Sequence, residues 1–188
     1  MLAFLVSIGT IAGLLKLGAS AIDAEADEAE EVSEVTDGEL TIELGDEPVF
    51  AYVKSTVTVT EDMPAGYTLK AYSENSTLSA EGTDKTISMV TIPEDGLENA
   101  GSLTTALTDN TWGLAVEEPT SQADEIYFSL PQTAEEAVTI ATVEDMEAEG
   151  SDTVTVYYGV YVTPDMPYGT YTGASVNYEV EDNSWATV

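Results

Sequence analysis

Asp152-Thr-Val-Thr-Val-Tyr-Tyr-Gly-Val-Tyr-Val-Thr-Pro-Asp-Met-Pro-Tyr-Gly-Thr-Tyr171 is the stretch on which the fold turns. From Thr153 to Val162 polar and apolar side chains alternate, the period of a strand with one face inside. Adjacent strand residues point to opposite faces, so Tyr157 and Tyr161 share one side and Tyr158 takes the other. Pro167 and Gly169 then fit positions i+1 and i+3 of a type I turn. The same run occurs earlier. Val57-Thr-Val-Thr-Glu-Asp-Met-Pro-Ala-Gly66 aligns without gaps to Val160–Gly169, with seven of ten positions identical in the pattern V-x-V-T-x-D-M-P-x-G. Two hairpin corners of like geometry would explain this; a duplicated half-sandwich is the sharper reading.

Working outward, alternation recurs at 39–44, 55–60, 67–72, 86–91, 112–116, 126–130, 138–143 and 171–180. Turn signals separate these runs, as at Pro93-Glu94-Asp95-Gly96 and Thr108-Asp109-Asn110. Thr133 to Ala137 reads as one helical turn. Eight or nine short strands without a helical period predict an antiparallel β-sandwich over residues 38–188.

Ahead of it, residues Met1 to Ile22 are apolar, broken only by Ser7, Thr10, Lys16, Ser20 and small residues. Leu2, Phe4, Leu5, Ile8, Ile11, Leu14 and Leu15 leave no polar face on a helical wheel, which requires burial all round. As a helix this segment spans roughly 33 Å, about one bilayer core. Gly9 and Gly13 have the small-xxx-small spacing that lets helices approach closely. An acidic run, Asp23 to Glu34, continues with good helix formers. The expectation is one helix over about Leu2 to Val35, closed near Gly38, so that residues 1–37 form a first unit. The fold class that follows is α+β, a long N-terminal hydrophobic helix followed by the sandwich. Three fates fit the apolar segment: a signal peptide cleaved at Ala19-Ser20-Ala21, a single-span anchor, or a tail that packs with copies of itself. The lack of a basic residue after Met1 weighs against the first, and Lys16 inside the span against the second.

The 188 residues carry 36 acidic and 4 basic side chains, a formal charge of -32. Such a chain repels phosphate backbones and does not suit nucleic acid. With no Cys and no His, disulfides, the usual zinc and haem ligation, and Ser-His or Cys-His catalysis are absent. Carboxylates are so frequent that no pair singles itself out as catalytic, and the expectation is no enzyme, no catalytic residue and no cofactor. Diffuse screening by Ca2+ or other cations is the one metal role considered, with Asp62, Asp165 and the Glu149–Asp152 turn as candidate loops. Asn75-Ser76-Thr77 is an N-glycosylation sequon, with Asn75 the acceptor. The ten tyrosines serve packing, or an aromatic patch for head-to-head contact or adhesion.

A hydrophobic N-terminal segment on a β-rich head resembles the layout of the type IV pilin and archaellin superfamily, although Leu5 stands where many such pilins have Glu. The 152–171 stretch, with Trp112-Gly113 ahead of it, resembles a β-sandwich module of surface and pilin-like proteins of candidate-phylum bacteria. These resemblances imply an extracellular, cell-surface homopolymer that sits in the membrane before assembly. Its contacts would run through Leu2, Phe4, Leu5, Ile8, Gly9, Ile11, Gly13, Leu14, Leu15 and Lys16, with Lys16 meeting a carboxylate of a neighbouring helix. The alternatives are a membrane-anchored surface or S-layer-like binding protein, and a fibre subunit that completes its neighbour's sheet as in donor-strand assembly. The adhesion target is not legible.

Overall fold

The computed structural model describes residues 4–8, 32–35, 38–42, 46–59, 63, 65–92, 104–144 and 151–183. Its strands are β1 (Phe4–Ile8), β2 (Val32–Val35), β3 (Gly38–Ile42), β4 (Val49–Val59), β5 (Tyr67–Tyr72), β6 (Thr77–Ser79) and β7 (Thr86–Met89). They continue with β8 (Thr104–Thr105), β9 (Thr111–Ala115), β10 (Tyr127–Phe128), β11 (Val138–Val143), β12 (Asp152–Val162), β13 (Thr170–Tyr171) and β14 (Asn177–Asp182). A 3-10 turn at Ala134–Glu136 lies where one helical turn was expected.

The chain is therefore mainly β, and the α+β expectation is corrected. Phe4–Ile8 and Val32–Val35 are strands, within the span expected to be one helix. Phe, Val and Ile favour a pleated backbone. A uniformly apolar run carries no period, so apolarity alone does not tell helix from strand. Among the described residues no helix is long and apolar enough to cross a membrane.

The large sheet runs β2-β4-β12-β9-β10-β8, with β7 parallel to β9 and β6 paired to β7. A second sheet runs β11-β5-β14, and β1 lies between β13 and β3 in a third. Alternation along β4 and β12 sends Val57, Val59, Val156, Tyr158, Val160 and Val162 into one apolar cluster. Leu69, Ala71, Ile140, Tyr178 and Val180 of the second sheet join the same cluster, so the two sheets share a core. The Tyr158 and Tyr178 hydroxyls meet inside it at 2.6 Å, linking β12 to β14. This closes a hydrogen bond that a buried phenol needs.

The repeated motif has a geometric meaning. β4 and β12 pair antiparallel along their full length, from Val49↔Val162 to Val59↔Asp152. The displacement that carries Val57 onto Val160 also carries the ends of β4 onto the ends of β12. A local two-fold through the central pair Lys54↔Tyr157 thus exchanges the two strands. Met63 and Met166, equivalent under it, both plug the core, at 1% and 3% exposure. Gly66 has φ +78, and a Cβ there would lie 1.9 Å from the Val143 carbonyl oxygen. Only glycine fits that corner.

Candidate binding surface

The face of the large sheet turned away from the shared core is not bare. Val90, Leu107, Ala115 and Tyr127 form a second buried cluster there, with Phe50, Ile126, Tyr157 and Tyr161 half-buried around it. Tyr157 and Tyr161 thus share this face while Tyr158 is fully buried on the other, as alternation requires. Phe50 sits directly across from Tyr161 on the neighbouring strand. Tyr52 extends the row, its ring 6.1 Å from Phe50 and edge-on to Tyr157 at 5.9 Å. Edge-to-face pairs at this spacing stabilise each other by about 0.5–1.5 kcal/mol. The Tyr52 hydroxyl donates to Glu118 Oε1 at 2.8 Å, and this bond to a carboxylate raises its pKa.

Two glycines make the arrangement possible. Gly159 of β12 and Gly113 of β9 are partners in the ladder, and the Tyr127 ring lies over them. A Cβ at Gly159 would sit 2.5 Å from Tyr127 Cε1, and one at Gly113 2.8 Å from Tyr127 Cβ. The Tyr127 hydroxyl donates to the Ser121 carbonyl oxygen at 3.1 Å. Burial pushes its pKa well up, with Asp124 adding to the shift.

The loops on either side of the ring are held by their own hydrogen bonds. Leu107 N–H donates to the Gln122 carbonyl at 2.8 Å, clipping residues 104–111 to residues 119–125. Thr108 N–H donates to Thr111 Oγ1, which donates back to the Thr108 carbonyl. Asn110 takes φ +56, and its Oδ1 accepts from both the backbone N–H and the hydroxyl of Thr163, just after β12. Asp124 accepts from the backbone N–H groups of Thr120 and Ser121, at 2.7 and 2.9 Å, and from both hydroxyls. Those bonds, the Thr120 N–H first, hold its carboxyl below the usual value despite a small opposing effect of burial.

Between the loops lies an open depression of about 560 Å3, lined by Leu107, Thr108, Asp109, Gln122, Tyr161 and two alanines. It offers an aromatic ring, a hydroxyl, an amide and a carboxylate, with no cation in its lining. That chemistry disfavours an anionic partner.

The residues expected to matter fall elsewhere. Leu2, Gly9, Ile11, Gly13, Leu14, Leu15 and Lys16 lie outside the described residues, as does the contact expected of Lys16. Phe4, Leu5 and Ile8 are in β1, paired to β3 from Phe4↔Ile42 to Ile8↔Gly38 and, parallel, to β13 at Leu5↔Thr170. These three residues, expected in an assembly helix, are in a strand. Asn75 is exposed, but its Nδ2 donates to the Gly173 carbonyl at 2.6 Å and its Oδ1 accepts from Thr77 N–H. Of the cation candidates, Asp62 is outside the described residues. Asp165 is paired with Lys85 at 2.8 Å, and Asp152 Oδ2 accepts from the Tyr67 hydroxyl at 2.9 Å. Among the described residues no three carboxylates converge on a metal-sized space. Tyr127, Gln122 and the role of Gly159 were not anticipated. The signal available was Gly inside two strand patterns, which marks a close approach.

No protein family, no curated protein and no solved structure matches this chain. The resemblance to type IV pilins and archaellins is corrected by the strands at Phe4–Ile8 and Val32–Val35, and no match supports it or the candidate-phylum module. The Trp112-Gly113 and Tyr158-Gly159 pairs that carried the second resemblance have a local cause: Trp112 and Tyr158 fill the core while the glycines admit Tyr127.

Proposed function

We propose that the chain is a non-catalytic surface protein, its mainly-β domain displayed outside the cell. The preformed aromatic face of the large sheet carries this reading, because it is built for contact and not for bond-making. The half-buried ring row and the clamped loops are in place before any partner arrives. Supporting it, the formal charge of -32 keeps neighbouring copies soluble and apart. Described carboxylates are engaged by Lys85, Lys70, Tyr52, Tyr67 and loop backbone. Antibody to the domain, applied to intact and permeabilised native cells, tests the reading. Label on intact cells supports it; label only after permeabilisation refutes it.

A second reading is favoured by one observation. β1, from the apolar segment, enters a sheet between β13 and β3 as an added strand. Donor-strand fibres use the same pairing between neighbours. Threads in electron micrographs of purified chain, lost on Leu5→Pro, would favour a fibre subunit; dispersed particles would not.

A further inference from the structure

We propose that the depression beside Tyr161, with the aromatic row leading from it, binds a neutral oligosaccharide. The lining joins an apolar platform, Tyr161 and Leu107, to groups that match sugar hydroxyls, namely Thr108, Asp109 and Gln122. The depression, about 560 Å3, is open to solvent, so a ligand can run out of it along the sheet face. The row continues from Tyr161 to Phe50 opposite it, and Tyr52 bridges Phe50 to Tyr157. Rings spread along a sheet face, in place of a closed cage, suit an extended chain of pyranose rings whose C–H faces stack on them.

Charge narrows the class. No Lys or Arg lines the depression, Lys54 stands across from Tyr157 at the far end of the row, and 36 acids against 4 basic residues repel uronates, sialic acids and phosphates. A quaternary ammonium needs several aromatic rings converging on one point, whereas Tyr161 is the one aromatic residue of the lining. Among uncharged ligands, glycans match both the rings and the hydroxyl-binding groups; a cationic peptide, which the acidic surface would also attract, is the competing outcome that oligolysine tests. Preorganisation helps as well. The Leu107–Gln122 clip, the Asn110–Thr163 bonds and the Asp124 cap fix both loops, so little ordering cost falls on binding.

The inference deepens the surface reading and rests on it for where the ligand is met. Binding in solution and exposure on cells are separate measurements, so either can fail alone. The test uses the isotope-labelled full chain, in a detergent without sugar headgroups. It is titrated with cellotetraose, chitotetraose, maltotetraose and mannotetraose, and with choline, oligolysine and polygalacturonate as comparators. The expected result is saturable amide shifts for one or more neutral glycans, centred on Leu107, Gln122 and Tyr161. Tyr161→Ala and Gln122→Ala should each weaken binding about tenfold. Tyr168→Ala, which removes a tyrosine that is 55% exposed and outside the lining, should leave binding unchanged. Gln122→Ala lies in a loop outside the strands and keeps the test valid if Tyr161→Ala misfolds. No shifts with any neutral glycan, shifts centred elsewhere, stronger binding of a comparator, or equal binding by the folded variants would each overturn the proposal.

Discussion

Gly159→Ala puts one methyl where the Tyr127 ring already is. The new Cβ would lie 2.5 Å from Cε1, 3.1 Å from Cζ and 3.1 Å from the hydroxyl oxygen. Carbon atoms rest about 3.5 Å apart or more, so the ring must move by roughly 1 Å or the strand must. Neither is free. Tyr127 is fully buried, tied to Ser121 through its hydroxyl, and Gly159 is held by ladders to both β4 and β9. Overpacking of this kind costs about 1–3 kcal/mol. Tyr127→Ala alone empties the same site and should cost about 3–5 kcal/mol. In the double variant the methyl enters the space the ring has left, so the two losses should fall short of their sum by at least about 1 kcal/mol. Urea unfolding of the four proteins, with m compared across the set, reads this directly. Strict additivity would refute the claim that Gly159 exists to admit Tyr127. So would a Gly159→Ala variant as stable as the parent.

Tyr178→Phe should destabilise by about 1 kcal/mol in the same assay, because it removes one buried hydroxyl–hydroxyl bond. The Asp124 carboxyl should titrate by NMR below the ordinary 3.8, held down by the Thr120 and Ser121 N–H groups. A depressed folded pKa stabilises the charged form, so its contribution is full above about 3.8 and fades as pH falls through the lower folded value. Asp124→Asn should flatten that part of the acid limb. Added salt from low ionic strength to about 0.15 M, where the Debye length is about 8 Å, should raise the urea midpoint, since repulsion among 36 acids exceeds attraction to four lysines. A midpoint that falls with salt would contradict this.

Where alternation was clean, the structure follows it closely. β5 and β11 have the bounds read from their patterns, and the opposite facing of Tyr157 and Tyr158 follows from period two alone. The stretch from Tyr171 to Val180 read as one strand but is two, because Gly173 at φ +113 breaks it. At Phe4–Ile8 the sequence misled for a plain reason: a largely apolar run shows no period, and its length favoured a helix. The depression could not be read from sequence. Its walls come from residues 106–109, 122–123 and 161, brought together by Tyr127 packing on two glycines and by an Asn110 bond to Thr163. No local pattern announces contacts of that range.

The surface reading is tested most directly by adding a membrane-impermeant protease to intact native cells and identifying the peptides released. The account predicts peptides from the 46–183 domain, appearing without lysis and while a cytoplasmic marker stays intact. Release of those peptides only after the cells are broken would contradict it.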